Sequence, residues 1–307
     1  MAQGPQPASQ AGGTSTRRML VCRFWASPNR QTMGNEAGIS EVVIVGPNYM
    51  RLSVIVIAKN EAAMIGRCLE SVAWADEIIV VDSGSTDGTQ DICRALGAKV
   101  VVTEDWPGPG PQRNRAIEQA SGEWILALDA DEWVNEDLRD EILRVIQAPG
   151  DKIGFRVKRL SSYCGRYMRH SGWWPDYVSR LFVRGRARYD GGIVHDHLNP
   201  EGPMGRLNQH LLHEPYQNLE EVLAKVDDYS TGGAQIALAA GQKGSLVVAL
   251  GHGFWAFLRT YVIRLGVLDG QEGLMLAISN AETTYYKYLK LWLLSKQRDQ
   301  ADKLSGE

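Results

Sequence analysis

Cysteine is scarce in this chain of 307 residues, which contains only Cys22, Cys68, Cys93 and Cys164. No two of them stand at the spacing of a metal-binding pair, and such sparse use fits a reducing compartment better than a secreted disulfide framework. A continuous apolar segment typical of a signal peptide is missing near the start. A net charge of −3 gives no reason to expect nucleic acid as the main partner. These absences predict a cytoplasmic protein that does not bind nucleic acid.

The common nucleotide-binding loops are missing as well. The turn Asp82-Ser83-Gly84-Ser85 follows an apolar run and precedes a helical pattern, and its small residues would admit a ligand close to the backbone. It is not a G-x-G-x-x-G fingerprint, and no G-K-[ST] loop occurs, so neither a dinucleotide site nor an ATPase-type site is indicated. For this turn alone, a capped helix without a ligand is the alternative.

A cluster of carboxylates ends the apolar run 124–128. The run is bounded by Ser121-Gly122 and reads as a buried strand of an α/β sheet, so Asp129, Asp131 and Glu132 would lie at its carboxyl end, where such sheets hold ligands. Clustered carboxylates repel one another unless a cation or hydrogen-bond donors compensate. Mg²⁺, bound by one or two carboxylates and by substrate phosphates, commonly compensates such negative charge. The alternative is a solvated acidic loop.

The order of apolar patterns predicts an α/β fold. Residues 1–49 are rich in Gly, Pro, Gln, Ser and Thr without apolar periodicity, so we expect a disordered or non-native extension, with the functional protein starting at Met50. Short β-branched runs then alternate with helical patterns, as in a parallel, doubly wound sheet. We assign 50–205 to this catalytic domain and 206–307 to a helical C-terminal region.

Further polar groups stand where predicted elements begin or end. Asn60-Glu61 follows the first strand, and Gln112-Arg113-Asn114 falls near the start of a helix, where cations oppose the helix dipole. This misfit favours a binding role, whereas for any single arginine a solvated surface position is the first expectation. Trp174, close to Asp176, would stack on a sugar ring or belong to the core. In His195-Asp196-His197 a carboxylate lies between two imidazoles, which suits a general base better than a metal site.

Together these motifs resemble the family-2 glycosyltransferases over roughly residues 52–290. The resemblance rests on four motifs in this order: Ser53-Val-Ile-Val with Asn60-Glu61, Val81-Asp82-Ser-Gly-Ser-Thr-Asp87-Gly-Thr89, Gln112-Arg113-Asn114, and Leu128-Asp129-Ala130-Asp131-Glu132. A narrower similarity to bacterial lipopolysaccharide-core glucosyltransferases rests on Arg180-Leu-Phe, Val194-His195-Asp196 and Leu268-Asp269-Gly270.

The resemblance implies a GT-A fold, a Rossmann-like and mostly parallel sheet that binds a nucleotide-sugar and a divalent metal, Mg²⁺ or Mn²⁺. It places Asp129 near the ribose or metal and makes Asp131 a metal ligand. Asp196 becomes the base of an inverting transfer, with Asp176 and Glu214 as alternatives. The substrate-binding set it implies comprises Asn60, Glu61, Asp82, Ser83, Gln112, Arg113, Asn114, Trp174 and Arg180. Ser83 stands where many members carry a second aspartate that contacts uracil.

The implied function is transfer of a sugar, glucose from UDP-glucose, to a lipopolysaccharide-core or related glycan or glycolipid. A polyprenyl-phosphate sugar synthase and a non-catalytic nucleotide- or glycan-binding scaffold are the alternatives. A sugar nucleotidyltransferase would need a basic, Gly-rich loop after the first strand, and Ala58-Lys59-Asn60-Glu61 is no such loop.

The C-terminal region contains a long apolar segment, 245–268, which His252, Arg259 and Arg264 interrupt. It falls short of the about 20 apolar residues of a membrane-spanning helix. Its aromatic and basic residues are typical of an interfacial helix, so we expect contact with the inner face of the cytoplasmic membrane. The alternative is a helical subdomain that packs on the catalytic domain or on a second subunit. In the second case the protein would be an oligomer.

Overall fold

A computed structural model describes residues 51–191 and 196–305, and the side chains as far as residue 300. The predictions for residues 1–49 and for His195 therefore lie outside the described residues. The described residues belong to one compact unit, Tyr49–Glu307.

The catalytic half alternates strands and helices as the apolar pattern predicts. Its elements are β1 Leu52–Ala58, α1 Ile65–Ser71, β2 Glu77–Asp82, α2 Thr89–Ala95, β3 Lys99–Val102, α3 Pro109–Gln119, β4 Trp124–Asp129, β5 Glu132–Trp133 and α4 Glu136–Gln147. The remaining strands are β6 Gly154–Tyr163, β7 Arg166–Tyr167, β8 Asp176–Val183, β9 Ala187–Tyr189, β10 Leu198–Pro200 and β11 Met204–His213.

The main sheet has the strand order β3-β2-β1-β4-β8-β6-β11-β5, with β7 paired to β6. Strands β1 to β4 run parallel, and β8 joins β4 in the antiparallel direction. The chain leaves β1 on one side for β2 and returns on the other side as β4. The carboxyl ends of β1 and β4 therefore flank a topological switch point, where open α/β sheets bind their ligands.

Apolar side chains alternate between the two faces of the sheet and bury both. Val54 and Val56 of β1 pack in the core under α1 and α4, whereas Ile55 packs in the core under α3. Both strand faces are covered, which explains why β1 and β4 read as continuous apolar runs. The predicted α/β architecture with C-terminal helices is confirmed.

The helices begin later than the sequence analysis placed them. Residues from 206 onward were predicted to be helical, but β11 continues to His213 and pairs with β6 and β5. The helical region consists of α5 Leu219–Ala239, α6 Leu246–Leu258 and α7 Gly270–Ser305. A π-helical turn at Arg259–Ile263 and a 3-10 turn at Gly266–Asp269 connect α6 to α7.

The C-terminal helices pack on the sheet domain at the end of β6. Val222 and Val226 of α5 and Leu276 of α7 form one cluster with Tyr163 and Met168. In addition, the Tyr163 hydroxyl lies 2.7 Å from Ser279 Oγ. One face of the helical region thus packs on the sheet domain, whereas Val247, Leu250 and Phe254 of α6 are exposed.

Asp269 provides a second connection between the helices and the sheet domain. Its carboxylate is 3% exposed and accepts hydrogen bonds from the backbone N–H groups of Arg169 and His170, at 3.1 and 3.0 Å. The Ser171 hydroxyl donates to it at 2.8 Å. A buried carboxylate is stable when several donors satisfy it, so Asp269 fixes the loop that leads from β7 into β8.

Candidate active site

A cleft of about 320 Å³ opens at the switch point between β1 and β4. It is lined by Ile57, Ala58, Lys59, Glu61, Trp106, Asp129, Ala130, Asp131 and His213. Three of the predicted site residues, Glu61, Asp129 and Asp131, therefore come together in one cavity. His213, Lys59 and Trp106 also line it, and the sequence analysis assigned them no role.

Two buried arginines hold the carboxylate of Asp129 in place. Arg113 of α3 donates to its Oδ1, and Arg180 of β8 donates to its Oδ2 at 2.5 Å. Burial alone would raise the pKa of Asp129, but the two guanidinium groups hold it well below its ordinary value. Asp129 is accordingly a fixed negative charge at the floor of the cleft.

Each arginine extends the network to a further carboxylate. Arg113 also donates to Asp196, and Arg180 also donates to the fully buried Glu132 at 2.6 Å. Arg159 links Glu132, at 3.4 Å, with Asp176, at 2.8 Å. The ion pairs thus alternate in sign in one continuous series: Asp196, Arg113, Asp129, Arg180, Glu132, Arg159 and Asp176. The Asp196 carboxylate is separated from Asp129 by a single guanidinium group.

Asp131 faces the cleft, and its carboxylate lies 3.3 Å from His213 Nε2. The other ring nitrogen, Nδ1, lies 2.8 Å from Ser161 Oγ, which fixes the orientation of the ring. A carboxylate and an imidazole oriented by a hydrogen bond are a donor pair suited to a divalent metal ion. Within the part of the chain that the structure describes, no three His, Cys, Asp or Glu side chains converge on one point, so a bound ion would need further ligands from substrate.

Glu61 contributes a third acid to the cleft. Burial, and then the negative charges of Asp131 and Asp87, raise the pKa of Glu61 from 4.5 to about 7. A carboxyl group with this pKa lies in a negative field that a cation would relieve. The electrostatics of the cleft therefore favour a positively charged ligand.

The loop after β1 and the loop after β2 are joined to each other. The Asn60 side-chain oxygen accepts from Thr86 N at 2.9 Å, and its backbone N–H donates to Ser85 Oγ at 2.7 Å. The buried Asp82 carboxylate accepts from the backbone of Gly84 and Ser85 and from Gln90. These two predicted site residues shape the rim of the cleft through contacts within the protein.

Ser83, Gln112 and Asn114 are also engaged within the fold. Gln112 is fully buried and donates to Ser83 Oγ at 2.7 Å. Asn114 forms a pair of hydrogen bonds with the backbone of Tyr189, at 2.9 and 3.0 Å, and so attaches β9 to α3. Trp174 does not line the cleft. The predicted site residues outside the cavity lining are Asn60, Asp82, Ser83, Gln112, Arg113, Asn114, Trp174, Arg180 and Asp196.

The comparisons with known proteins agree with this architecture. The family model described as Glycosyl transferase family 2 matches residues 53–199. The lipopolysaccharide core biosynthesis glycosyltransferase LpsC of Rhizobium meliloti (strain 1021) is 34% identical over 203 residues, which are 62% of this chain and 73% of that protein. An uncharacterized glycosyltransferase of Rickettsia typhi is 30% identical over 257 residues, 80% of this chain and 88% of its own.

Among solved structures, glucosyl-3-phosphoglycerate synthase from Mycobacterium tuberculosis, in complex with Mn²⁺, UDP and glucosyl-3-phosphoglycerate, aligns with 29% identity and a TM-score of 0.32. The alignment covers 37% of this chain and less than half, 44%, of that chain.

The family match and these relatives define an enzyme of the glycosyltransferase class. The chain belongs to glycosyl transferase family 2. The resemblance drawn from the four sequence motifs is confirmed, including its similarity to lipopolysaccharide-core enzymes.

The pKa of Glu61 predicts a pH-dependent stability in metal-free buffer. Between pH 4.5 and about 7 the unfolded carboxyl group has lost its proton while the folded one retains it, so the free energy of unfolding falls as pH rises through this interval. Glu61→Gln removes this loss. Glu61 is partly exposed and solvent screens part of the effect, so we expect the variant to be more stable than wild type at pH 8 by about 2 kcal/mol at most. Urea unfolding at pH 5 and pH 8 measures the difference. Glu104→Gln, at an exposed position, is the control. If wild type and Glu61→Gln differed in free energy of unfolding by the same amount at pH 5 and pH 8, the assignment would be contradicted.

Proposed function

We propose that the protein transfers a sugar from a nucleotide-sugar, with UDP-glucose as the first donor to test, to a hydroxyl group of a lipopolysaccharide-core or related surface glycan, with inversion at the anomeric carbon. The observation that carries this proposal is the cleft in which Asp131 and His213 meet at the switch point, in a chain of glycosyl transferase family 2. The role of the LpsC relative in lipopolysaccharide core biosynthesis supports the acceptor class.

In this proposal Asp131 and His213 hold a divalent metal, Mg²⁺ or Mn²⁺, with the donor diphosphate as the remaining ligand. Such an ion offsets the negative charge that develops on the leaving diphosphate. Asp129 does not need to bind the metal directly, because both of its oxygens already accept from Arg113 and Arg180. Its fixed charge instead contributes to the negative field that attracts the cation.

Asp196 is the best-placed candidate for the general base. Arg113 contacts Asp196 and Asp129 together, so this carboxylate lies one side chain away from the metal-binding acids. Neither alternative shares an arginine with Asp129: Asp176 pairs with Arg159, and Glu214 accepts from the Tyr167 hydroxyl at 3.0 Å. In the reaction the base takes the proton of the acceptor hydroxyl. At the same time the hydroxyl oxygen bonds to the anomeric carbon, and the bond from that carbon to the diphosphate breaks.

Calorimetric titration with UDP tests the donor site. We expect UDP to bind in the presence of Mn²⁺ and not in EDTA. Asp131→Asn and His213→Gln should each weaken binding by more than about tenfold, since even residues that only orient a metal ligand contribute about that much. Asp151→Asn, which removes an exposed carboxylate outside the cleft, should bind UDP normally. Equal binding with Mn²⁺ and with EDTA would contradict a metal site, and no binding of UDP, GDP or CDP would favour the scaffold alternative.

Replacement of the base tests its role separately from donor binding. We expect Asp196→Asn to lower turnover by about 10²- to 10⁴-fold, as for loss of a general base, and to leave UDP affinity within about twofold of wild type. Asp176→Asn and Glu214→Gln are the matched comparisons. Near-normal turnover of Asp196→Asn, with a large loss in either comparison variant, would move the assignment to that residue.

We further propose that the C-terminal helices contact an anionic membrane surface, at the cytoplasmic face of the membrane that carries the acceptor. Of the described helices, Leu246–Ile263 is the one long and apolar enough to cross a membrane, and 22% of it is buried. Its exposed apolar side chains include Val247 at 79% and Phe254 at 66%. From residue 244 to 268 no acid occurs, whereas Arg259 and Arg264 are exposed. Exposed apolar residues with cations and without acids suit an anionic lipid surface.

Cosedimentation with phosphatidylglycerol vesicles tests this contact. Val247→Asp and Phe254→Asp should each reduce vesicle binding by about tenfold, because they replace inserted apolar area by a charge that anionic lipid repels. Leu96→Asp changes an exposed apolar residue of the sheet domain and is the control. Unchanged vesicle binding would refute the contact, and a dimer that dissociates in Phe254→Asp would assign the face to a second copy.

A further inference from the structure

Three basic side chains surround the indole ring of Trp174, in the loop between β7 and β8. Lys158 Nζ and the guanidinium carbon of Arg169 each lie 5.8 Å from the ring centroid. The His210 ring meets the indole edge-on, with the two centroids 6.0 Å apart. The indole is half-buried, so it is held in place and still offers part of its surface to a ligand.

The same kinds of side chain continue along one face of the sheet. Lys158 of β6 is the direct partner of Tyr177 in β8 and of His210 in β11, and Arg156 is the direct partner of Arg206. Directly paired residues of neighbouring strands project to the same side of a sheet. The Arg206 guanidinium also lies 4.9 Å from the centre of the Tyr177 ring, which makes a second cation–aromatic pair. We call Lys158, Arg169, Trp174, Tyr177, Arg206 and His210 the cationic–aromatic platform.

The charges of this platform are not neutralised by ion pairs. Among the described residues, Lys158, Arg156, Arg169 and Arg206 have no carboxylate within salt-bridge distance, and the nearby Asp176 is paired with Arg159. Burial, and then the positive charges of Arg169 and Lys158, lower the pKa of His210 against the opposing effect of Asp137. A positive potential on an exposed aromatic surface favours an anionic ligand that has a ring to stack.

Trp174 precedes and Tyr177 follows Asp176, so the platform lies near the carboxyl end of β4. Tyr177 and its partner Lys158 project to the opposite face of the sheet from Asp176 and its partner Arg159. Strand β8 runs antiparallel to β4, so its first residue, Asp176, falls beside the carboxyl end of β4. Arg159 bridges Asp176 to Glu132, and Glu132 accepts from the backbone N–H of Asp129 at 3.0 Å. Asp269 meanwhile holds the backbone of Arg169. This gives a role to the Leu268-Asp269-Gly270 motif, whose carboxylate positions one edge of the platform.

We propose that the platform binds the acceptor through an acidic saccharide, with a sugar ring against Trp174 and its phosphate or carboxylate group between Lys158 and Arg169. This inference rests on the proposed glycosyltransferase function and adds the chemical class of the acceptor. The donor diphosphate does not compete for the platform, because the proposed metal site at Asp131 and His213 accounts for it. An uncharged acceptor would leave the cations without a partner.

Binding of glucose 6-phosphate to the full-length protein tests the proposal, with glucose and inorganic phosphate as the comparison ligands and the His210 imidazole NMR signals as the reporter. We expect glucose 6-phosphate to bind at least about tenfold more tightly than either comparison ligand, and to raise the pKa of His210 as its charge offsets Lys158 and Arg169. Lys158→Ala and Arg169→Ala should each weaken this binding by about tenfold, as for loss of a charge-assisted hydrogen bond.

Lys296→Ala is the matched control, because Lys296 is exposed and lies 3.9 Å from the centre of the Trp292 ring on α7, away from the platform. UDP binding measured on the same variants separates the two proposals. Normal UDP binding without a preference for glucose 6-phosphate overturns the acidic acceptor and leaves the proposed function intact. If the wild-type protein does not bind UDP but still prefers glucose 6-phosphate, the donor site is overturned and the platform is not. Vesicle binding that depends on Lys158 and Arg169, with no preference for the sugar phosphate over phosphate, would assign the platform to a lipid headgroup and overturn the proposal.

Discussion

The shared ion pair of Asp129 with Arg113 and Arg180 is the contact on which the active-site region depends. The two arginine side chains are 6% and 7% exposed, and they come from α3 and β8, on either side of the strand that ends in Asp129. Burying these charges is costly unless every one is paired. The pairing therefore fixes a helix and two strands relative to one another, and the loss of one partner would leave the others uncompensated.

This constraint gives different roles to the two aspartates of the Asp129-Ala130-Asp131 sequence, which we call the D-x-D motif. Both carboxylate oxygens of Asp129 accept hydrogen bonds from arginines, so Asp129 contributes charge and rigidity. Asp131 is directed into the cleft, where His213 is its neighbour and the raised pKa of Glu61 records a negative field. A rigid anionic floor with one exposed carboxylate and one oriented imidazole is suited to hold a cation without rearrangement, which is what preorganised electrostatics require.

Strand β11 connects the proposed donor site with the proposed acceptor platform. Its last residue, His213, enters the cleft because β5 pairs with Leu212 and His213 directly after the D-x-D motif. Three residues earlier, His210 lies on the cationic–aromatic platform. One strand thus contributes to the donor side and to the proposed acceptor side, and the loop after it leads into the C-terminal helices. The sheet consequently holds the proposed donor, acceptor and membrane contacts in a fixed relation.

The α/β class, the position of the carboxylates at a strand end and the family could all be predicted from the sequence, because they depend on local patterns and on motifs in a fixed order. The sequence did not reveal His213, the inward engagement of Asp82, Gln112 and Asn114, or the strand that extends beyond residue 206. Those features depend on which distant segments pair. A histidine far along the chain becomes a neighbour of Asp131 through the pairing of β11 with β5, and a polar residue points inward or outward according to the element packed against it. Local periodicity contains no information about such partners, so only the tertiary structure decided them.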